Sequence, residues 1–198
     1  MPKLNQIILF SAAAIVALSA GAWFRAHFMD GPQPPLPEEV SKQGAKAILS
    51  ANLPDIDGQL QTVSQWQGNV LVVNFWATWC TPCREEIPEF IDMQNKFAEQ
   101  GLIFIGIAID REDKVISYAN EFGINYPVLI GGLEGMSFAE AAGNQMSVLP
   151  YTVVFDRRGN IAETFLGRVH QHTLEKIVIP LLQEQADTLP VEQTQAAL

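Results

Sequence analysis

The sequence predicts one α/β domain built on a mixed central sheet with helices packed against it. Three observations carry that prediction. Residues 70–76 (Val-Leu-Val-Val-Asn-Phe-Trp) and 101–109 are near-continuous apolar runs of strand length, as in strands covered on both faces. Between them Ile87, Phe90, Ile91, Gln94 and Phe97 recur at helical spacing, with Arg84, Glu85, Glu89 and Asp92 largely on other faces. Residues 151–156 and 161–166, separated by Arg157-Arg158-Gly159-Asn160, read as a β-hairpin. A chain of 198 residues accommodates one such domain with a real core plus appendages.

Residues 1–29 stand outside that domain. Lys3 and the amino terminus give a short positive start, and residues 7–24 then carry no charge. As a helix this run would be about 27 Å long, close to the hydrocarbon thickness of a bilayer. Trp23, Arg25 and His27 follow, as at a membrane interface, and the positive start keeps the N-terminus inside. Ala20-Gly21-Ala22 also resembles a small-residue cleavage site, so the segment reads as a membrane anchor or a signal segment. Either way the domain that follows is exported, to where disulfides persist. Residues 30–47, with Pro32, Pro34, Pro35 and Pro37, read as a stiff, extended linker that holds the domain up to about 50 Å from the membrane.

The domain proper is expected over 48–185. Turn signals at Pro54-Asp55 and Asp57-Gly58 predict an N-terminal β-hairpin within 51–67. The strands at 70–76 and 101–109 follow, and Asp110 is expected to cap a helix that runs to about Phe122. Residues 126–130 form a short strand, and 131–147 contain a short helix. A last helix runs from about His172 to Gln185, bent at Pro180, and 186–198 is a polar, flexible tail.

The two cysteines, Cys80 and Cys83, sit together in Trp79-Cys80-Thr81-Pro82-Cys83. With no others, they exclude a disulfide-stapled scaffold and a four-thiolate zinc site within one chain. A loop this short gives a disulfide little entropic leverage, so the spacing points to reversible redox chemistry. One thiolate attacks a partner's disulfide, and the second resolves the mixed disulfide. The strand before and the helix after place Cys80 at a helix N-terminus, where free N–H groups and the dipole favour a thiolate. Pro82 is tolerated in a first turn, and Pro88 lies deep enough to kink the helix.

Residues 74–88, Asn-Phe-Trp-Ala-Thr-Trp-Cys-Thr-Pro-Cys-Arg-Glu-Glu-Ile-Pro, resemble the active-site segment of the thioredoxin superfamily. They are most similar to the membrane-anchored, extracytoplasmic TlpA/ResA-like thiol–disulfide reductases, over residues 50 to 182. The resemblance implies a thioredoxin fold with an N-terminal β-hairpin and a central insertion at 131–147. It makes Cys80 the nucleophile and Cys83 the resolving thiol. Pro88 matches the proline that kinks the active-site helix, and Pro150, in Val148-Leu149-Pro150-Tyr151, matches the cis-proline facing the cysteines. A glutamate at the offset of Glu86 belongs to the ResA-like active site. Thioredoxin's buried aspartate in the preceding strand is replaced here by Asn74, which cannot titrate. Trp79 is expected at the rim as part of a docking surface, and Leu149 to offer its backbone to an extended partner segment.

By the same resemblance, electrons come from a membrane thiol transporter of the DsbD or CcdA type. They pass to disulfides in exported proteins, with apocytochrome c as the leading candidate, and the domain faces the periplasm from the bacterial inner membrane. No cofactor is required, because the cysteine pair is itself the redox centre. Thr81 and Pro82 put no cation beside Cys80, which favours a reductase over a disulfide-forming oxidase. A peroxidatic Thr-x-x-Cys site does not match Thr78-Trp79-Cys80. A copper metallochaperone using both thiolates is the rival outside enzymology. His170 and His172 read as an exposed loop entering a helix, so no metal site is assigned. The net charge of −10, without a basic stripe, argues against nucleic-acid binding.

Overall fold

The computed structural model describes residues 35–184 together with Ser19. The segment expected at 1–29 as an anchor or signal, and the tail expected at 186–198, lie outside the described residues, apart from that serine. Among the described residues no helix is long and apolar enough to cross a membrane.

The elements in chain order are α1 (Glu38–Leu49), β1 (Asn52–Pro54), β2 (Leu60–Thr62), β3 (Val70–Trp76), α2 (Thr81–Phe97), β4 (Leu102–Ala108), α3 (Glu112–Phe122), β5 (Val128–Ile130), α4 (Gly132–Ala141), β6 (Tyr151–Phe155), β7 (Ile161–Leu166) and α5 (Gln171–Gln183). The central sheet has the order β5-β4-β3-β6-β7. β3 pairs in parallel with β4 and antiparallel with β6, so the sheet is mixed and β3 lies at its centre. β1 and β2 form the separate N-terminal hairpin.

Every residue of β3 is buried, because both faces of the sheet are covered. Period-2 alternation sends its side chains into two cores. Val70, Val72 and Trp76 join Phe90, Phe104, Tyr118 and Leu174 under α2, α3 and α5. Leu71, Val73 and Phe75 join Ile48, Leu53, Ile105 and Ala139 under α1, α4 and the hairpin. Asn74 shares the parity of Trp76 and therefore faces α2. Gly106, paired with Asn74 across β3–β4, leaves room for the Trp76 indole; a Cβ there would lie 2.9 Å from Nε1.

Two expectations are corrected. Residues 38–47 are not extended linker, because they form most of α1 and belong to the domain. The last proline, Pro37, stands at the helix N-cap, Glu38 and Glu39 fill the first turn and Lys46 the last, in the order the helix dipole favours. The buried face of Gly44, Ala45 and Ile48 packs on the second core, and Gly44 is needed because a Cβ there would meet Ala142 Cα at 2.5 Å. The extended linker expected over 30–47 therefore does not continue past Pro37. Asp110, in turn, does not cap α3. Arg111 holds the N-cap position without a side-chain cap, and Asp110 turns toward the loop after β3.

Candidate active site

The loop 77–80 leaves the C-terminal end of central β3, at the end of the sheet where the parallel β4 and β5 also finish, and α2 begins at once. Cys80 is the N-cap of α2, and Cys83 lies in its first turn. The two are joined in a disulfide with an S–S distance of 2.06 Å. The Cys83 N–H points at Cys80 Sγ at 3.3 Å, so one of the free donors of the helix end faces the sulfur that would carry a thiolate. Cys80 is 5% exposed and Cys83 0%. In the oxidised pair Cys80 therefore offers only a narrow window at the helix end, and Cys83 none. Trp79 beside it is 67% exposed, whereas Trp76, three residues earlier, is wedged in the core against Tyr118. The loop is held from below by Asp110, which accepts from both the N–H and the hydroxyl of Thr78. Burial raises the Asp110 carboxyl, but these bonds and the Arg111 N–H outweigh it and hold it below its ordinary value.

Glu86 is wholly buried in the second turn of α2, three residues after Cys83 and on the same helical face. Asn74 donates to one carboxyl oxygen at 2.8 Å and the Val169 N–H to the other at 3.1 Å. The second Asn74 amide proton goes to Thr152 at 3.0 Å. Burial pushes the Glu86 carboxyl up to about 8, against the opposing pull of the two donors and of Arg168. The result is an acid that both holds and releases a proton near neutral pH, which an exposed glutamate cannot do. Its neighbour Glu85 is exposed and pairs with Arg168 at 2.6 Å.

The Leu149–Pro150 peptide bond is cis, and Pro150 enters β6 one residue before the Tyr151↔Phe75 pair. Pro150 is buried and Leu149 half-buried. No hydrogen bond joins the Leu149 backbone to another described residue. Sequence reasoning named Asn74 only as a residue that does not titrate, and it missed Val169, Arg168 and the role of Asp110. Val169 acts through its backbone, which leaves no signal in residue type. Among the described residues no cluster of three or more His, Cys, Asp or Glu side chains is disposed to hold a metal.

A disulfide at a helix N-cap, a cis-proline strand entry and a buried acid on a mixed five-stranded sheet define a thiol–disulfide oxidoreductase of thioredoxin fold. Residues 42–178 match the Redoxin family, and the chain belongs to it. Among its relatives is the thiol–disulfide oxidoreductase ResA of Geobacillus kaustophilus, 26% identical over 178 residues, covering 89% of this chain and 96% of the relative. ResA of Bacillus thuringiensis is 25% identical over 69% of this chain and 75% of its own. The structure of a thiol:disulfide interchange protein of the thioredoxin family from Chlorobium tepidum superimposes with a TM-score of 0.59 at 29% identity, covering 67% of this chain and 97% of its own. A secreted thiol–disulfide isomerase from Corynebacterium glutamicum shares the fold, with a TM-score of 0.62 at 24% identity over 68% of this chain and 84% of its own.

Proposed function

We propose that this protein is a membrane-tethered, extracytoplasmic reductase of disulfides in exported proteins. The observation that carries the reading is the pairing of a helix-capping disulfide with the wholly buried Glu86 one turn further on. In the dithiol state, the Cys80 thiolate attacks one sulfur of a substrate disulfide. The S–S bond breaks, and the first substrate thiolate leaves and takes a proton. The Cys83 thiol gives its proton to the Glu86 carboxylate, and the new thiolate attacks Cys80 Sγ. That closes the Cys80–Cys83 bond and releases the second substrate thiolate. Two electrons pass to the substrate, and the protein is left oxidised.

A buried carboxyl with a raised pKa suits the middle step, because its proton affinity lies near that of a thiol. Trp79, Leu149 and Pro150 form the docking edge, with the Leu149 backbone pairing to an extended segment around the substrate cysteine. Two arginines close to the motif in sequence or space have other engagements. Arg84 lies over the Tyr118 ring, and Arg168 pairs with Glu85 and Glu89. Neither is spent on stabilising a Cys80 thiolate, which favours reduction of substrates over oxidation. The oxidised pair is returned to the dithiol by a membrane thiol transporter of the DsbD or CcdA type. Residues 7–24 supply the tether to the inner membrane, and apocytochrome c is the leading substrate.

The test is to express Cys83→Ser in cells, where the mixed disulfide through Cys80 cannot be resolved. Capture of exported cysteine-bearing proteins that dissociate on reduction supports the reading. Capture of cytoplasmic proteins, or equal capture by Cys80→Ser, refutes it.

A further inference from the structure

The turn that joins β7 to α5 makes an unusual set of contacts. Its four residues, 167–170, and Gln171 at the start of α5 all engage the active-site helix or the cis-proline. The Gly167 N–H donates to the Pro150 carbonyl at 2.9 Å. Arg168 reaches Glu85 at 2.6 Å and Glu89 at 2.9 Å, and its second terminal nitrogen also donates to the Glu85 carbonyl at 3.3 Å. Val169, 1% exposed, donates its N–H to Glu86. His170 Nδ1 lies 3.4 Å from Glu89, and the Gln171 N–H donates to the other oxygen of Glu89. The one bond in this set that touches the buried acid is thus flanked on both sides by anchors to the exposed face of the same helix.

We propose that Arg168 is a positioning residue for proton transfer at Glu86, acting by clamping the 167–170 turn to α2 so that the Val169 N–H stays on the Glu86 carboxylate and the Pro150 segment stays tied to the same helix. The inference rests on the reading of Glu86 as the proton carrier. An arginine is required rather than any cation. Its planar fork spans two carboxylates and a carbonyl at once, whereas a lysine ammonium is a point charge that keeps the attraction and loses the geometry. Released from the clamp, the turn regains backbone freedom, and Glu86 loses a donor that favours its charged form. Among the described residues, the charged or titratable groups facing Glu86 are Arg168 and Glu89 on the solvent side, Tyr126 from the β4–β5 connection, and Cys83 on its own helix; Asn74 is a neutral donor. Losing the Val169 bond moves the Glu86 proton affinity in one direction only, upward.

The experiment uses the full-length reduced protein and glutathione disulfide as the probe. Acid quenching and mass spectrometry follow decay of the Cys80–glutathione adduct as a function of pH. Arg168→Lys is expected to move the basic limb of the resolution profile to higher pH. The rate at pH 7 falls several-fold and recovers well above the limb. Arg168→Gln moves it further, and Arg168→Lys adds nothing in a Glu86→Gln background. A wild-type profile for Arg168→Lys beside a shifted Arg168→Gln would reduce the role to charge and overturn the clamp. A loss of rate equal at every pH, or one that persists in the Glu86→Gln background, would overturn it as well. If Glu86→Gln itself leaves the profile unchanged, the proton-carrier reading falls first, and that result is distinct from the others.

Discussion

Replacing Glu86 by glutamine tests the buried acid without any substrate. An acid whose folded pKa is raised is favoured by the fold in its neutral form. Its contribution is fully present below the unfolded value and is lost as pH rises through the folded one. Here the carboxyl moves from 4.5 to about 8. That difference, 8 − 4.5, at about 1.4 kcal/mol per unit is about 5 kcal/mol, all of it lost only above pH 8. Between pH 5 and 8 the loss amounts to about 3–4 kcal/mol. Glutamine does not titrate, so its variant lacks this slope. Its amide presents a donor to either Asn74 or Val169, which costs about 1–3 kcal/mol at every pH. Urea unfolding of the oxidised protein at pH 5, 6.5 and 8 reads both effects. Glu86→Gln is expected to be the less stable protein at pH 5 and to overtake the wild type by pH 8. Stability curves that stay parallel across this range would show that Glu86 is ionised in the fold, and the reasoning from burial would fail.

Cys80, the less buried cysteine and the one at the helix end, should be alkylated well before Cys83 when the reduced protein meets a limiting reagent near neutral pH; equal labelling, read by peptide mass, removes the assignment of nucleophile. Gly106→Ala should destabilise by about 1–3 kcal/mol and shift the tryptophan emission, because the added methyl meets Trp76 Nε1; an unchanged urea midpoint would mean the indole yields freely. Asp110→Ala should free Thr78 and slow Cys80 alkylation, while Thr78→Ser, which keeps both donors, should not; identical effects of the two would remove Asp110 as the anchor of the loop.

Much of this site was legible because its chemistry lies within one local stretch. The all-apolar 70–76 run, the change to helical period and the Cys-x-x-Cys between them place the sulfurs on a strand-to-helix turn without any long-range information. The i,i+3 spacing from Cys83 likewise brings Glu86 to the same helical face. What the sequence hid is tertiary. Val169 and Arg168 meet α2 from about eighty positions away, and nothing local to 167–170 marks that turn as more than a connection. Asp110 was misread because an aspartate before a helical run fits a cap, and only the fold reveals that Thr78 stands closer. Residues 38–47 were misread because four prolines just upstream dominated the composition. The helix begins where they stop, and its small-residue face has meaning only against α4.

The direction of electron flow is the central claim, and the equilibrium reduction potential of the Cys80–Cys83 pair tests it most directly. Stabilising the reduced form is what makes a dithiol pair a strong oxidant, and neither Thr81, Pro82 nor the engaged Arg84 and Arg168 does so here. Equilibration with glutathione or dithiothreitol buffers, followed by tryptophan fluorescence, should give a potential near that of thioredoxin, about −270 mV. A value near that of the oxidant DsbA, about −120 mV and on the order of 7 kcal/mol away for two electrons, would contradict the reductase reading and make this a disulfide-forming enzyme.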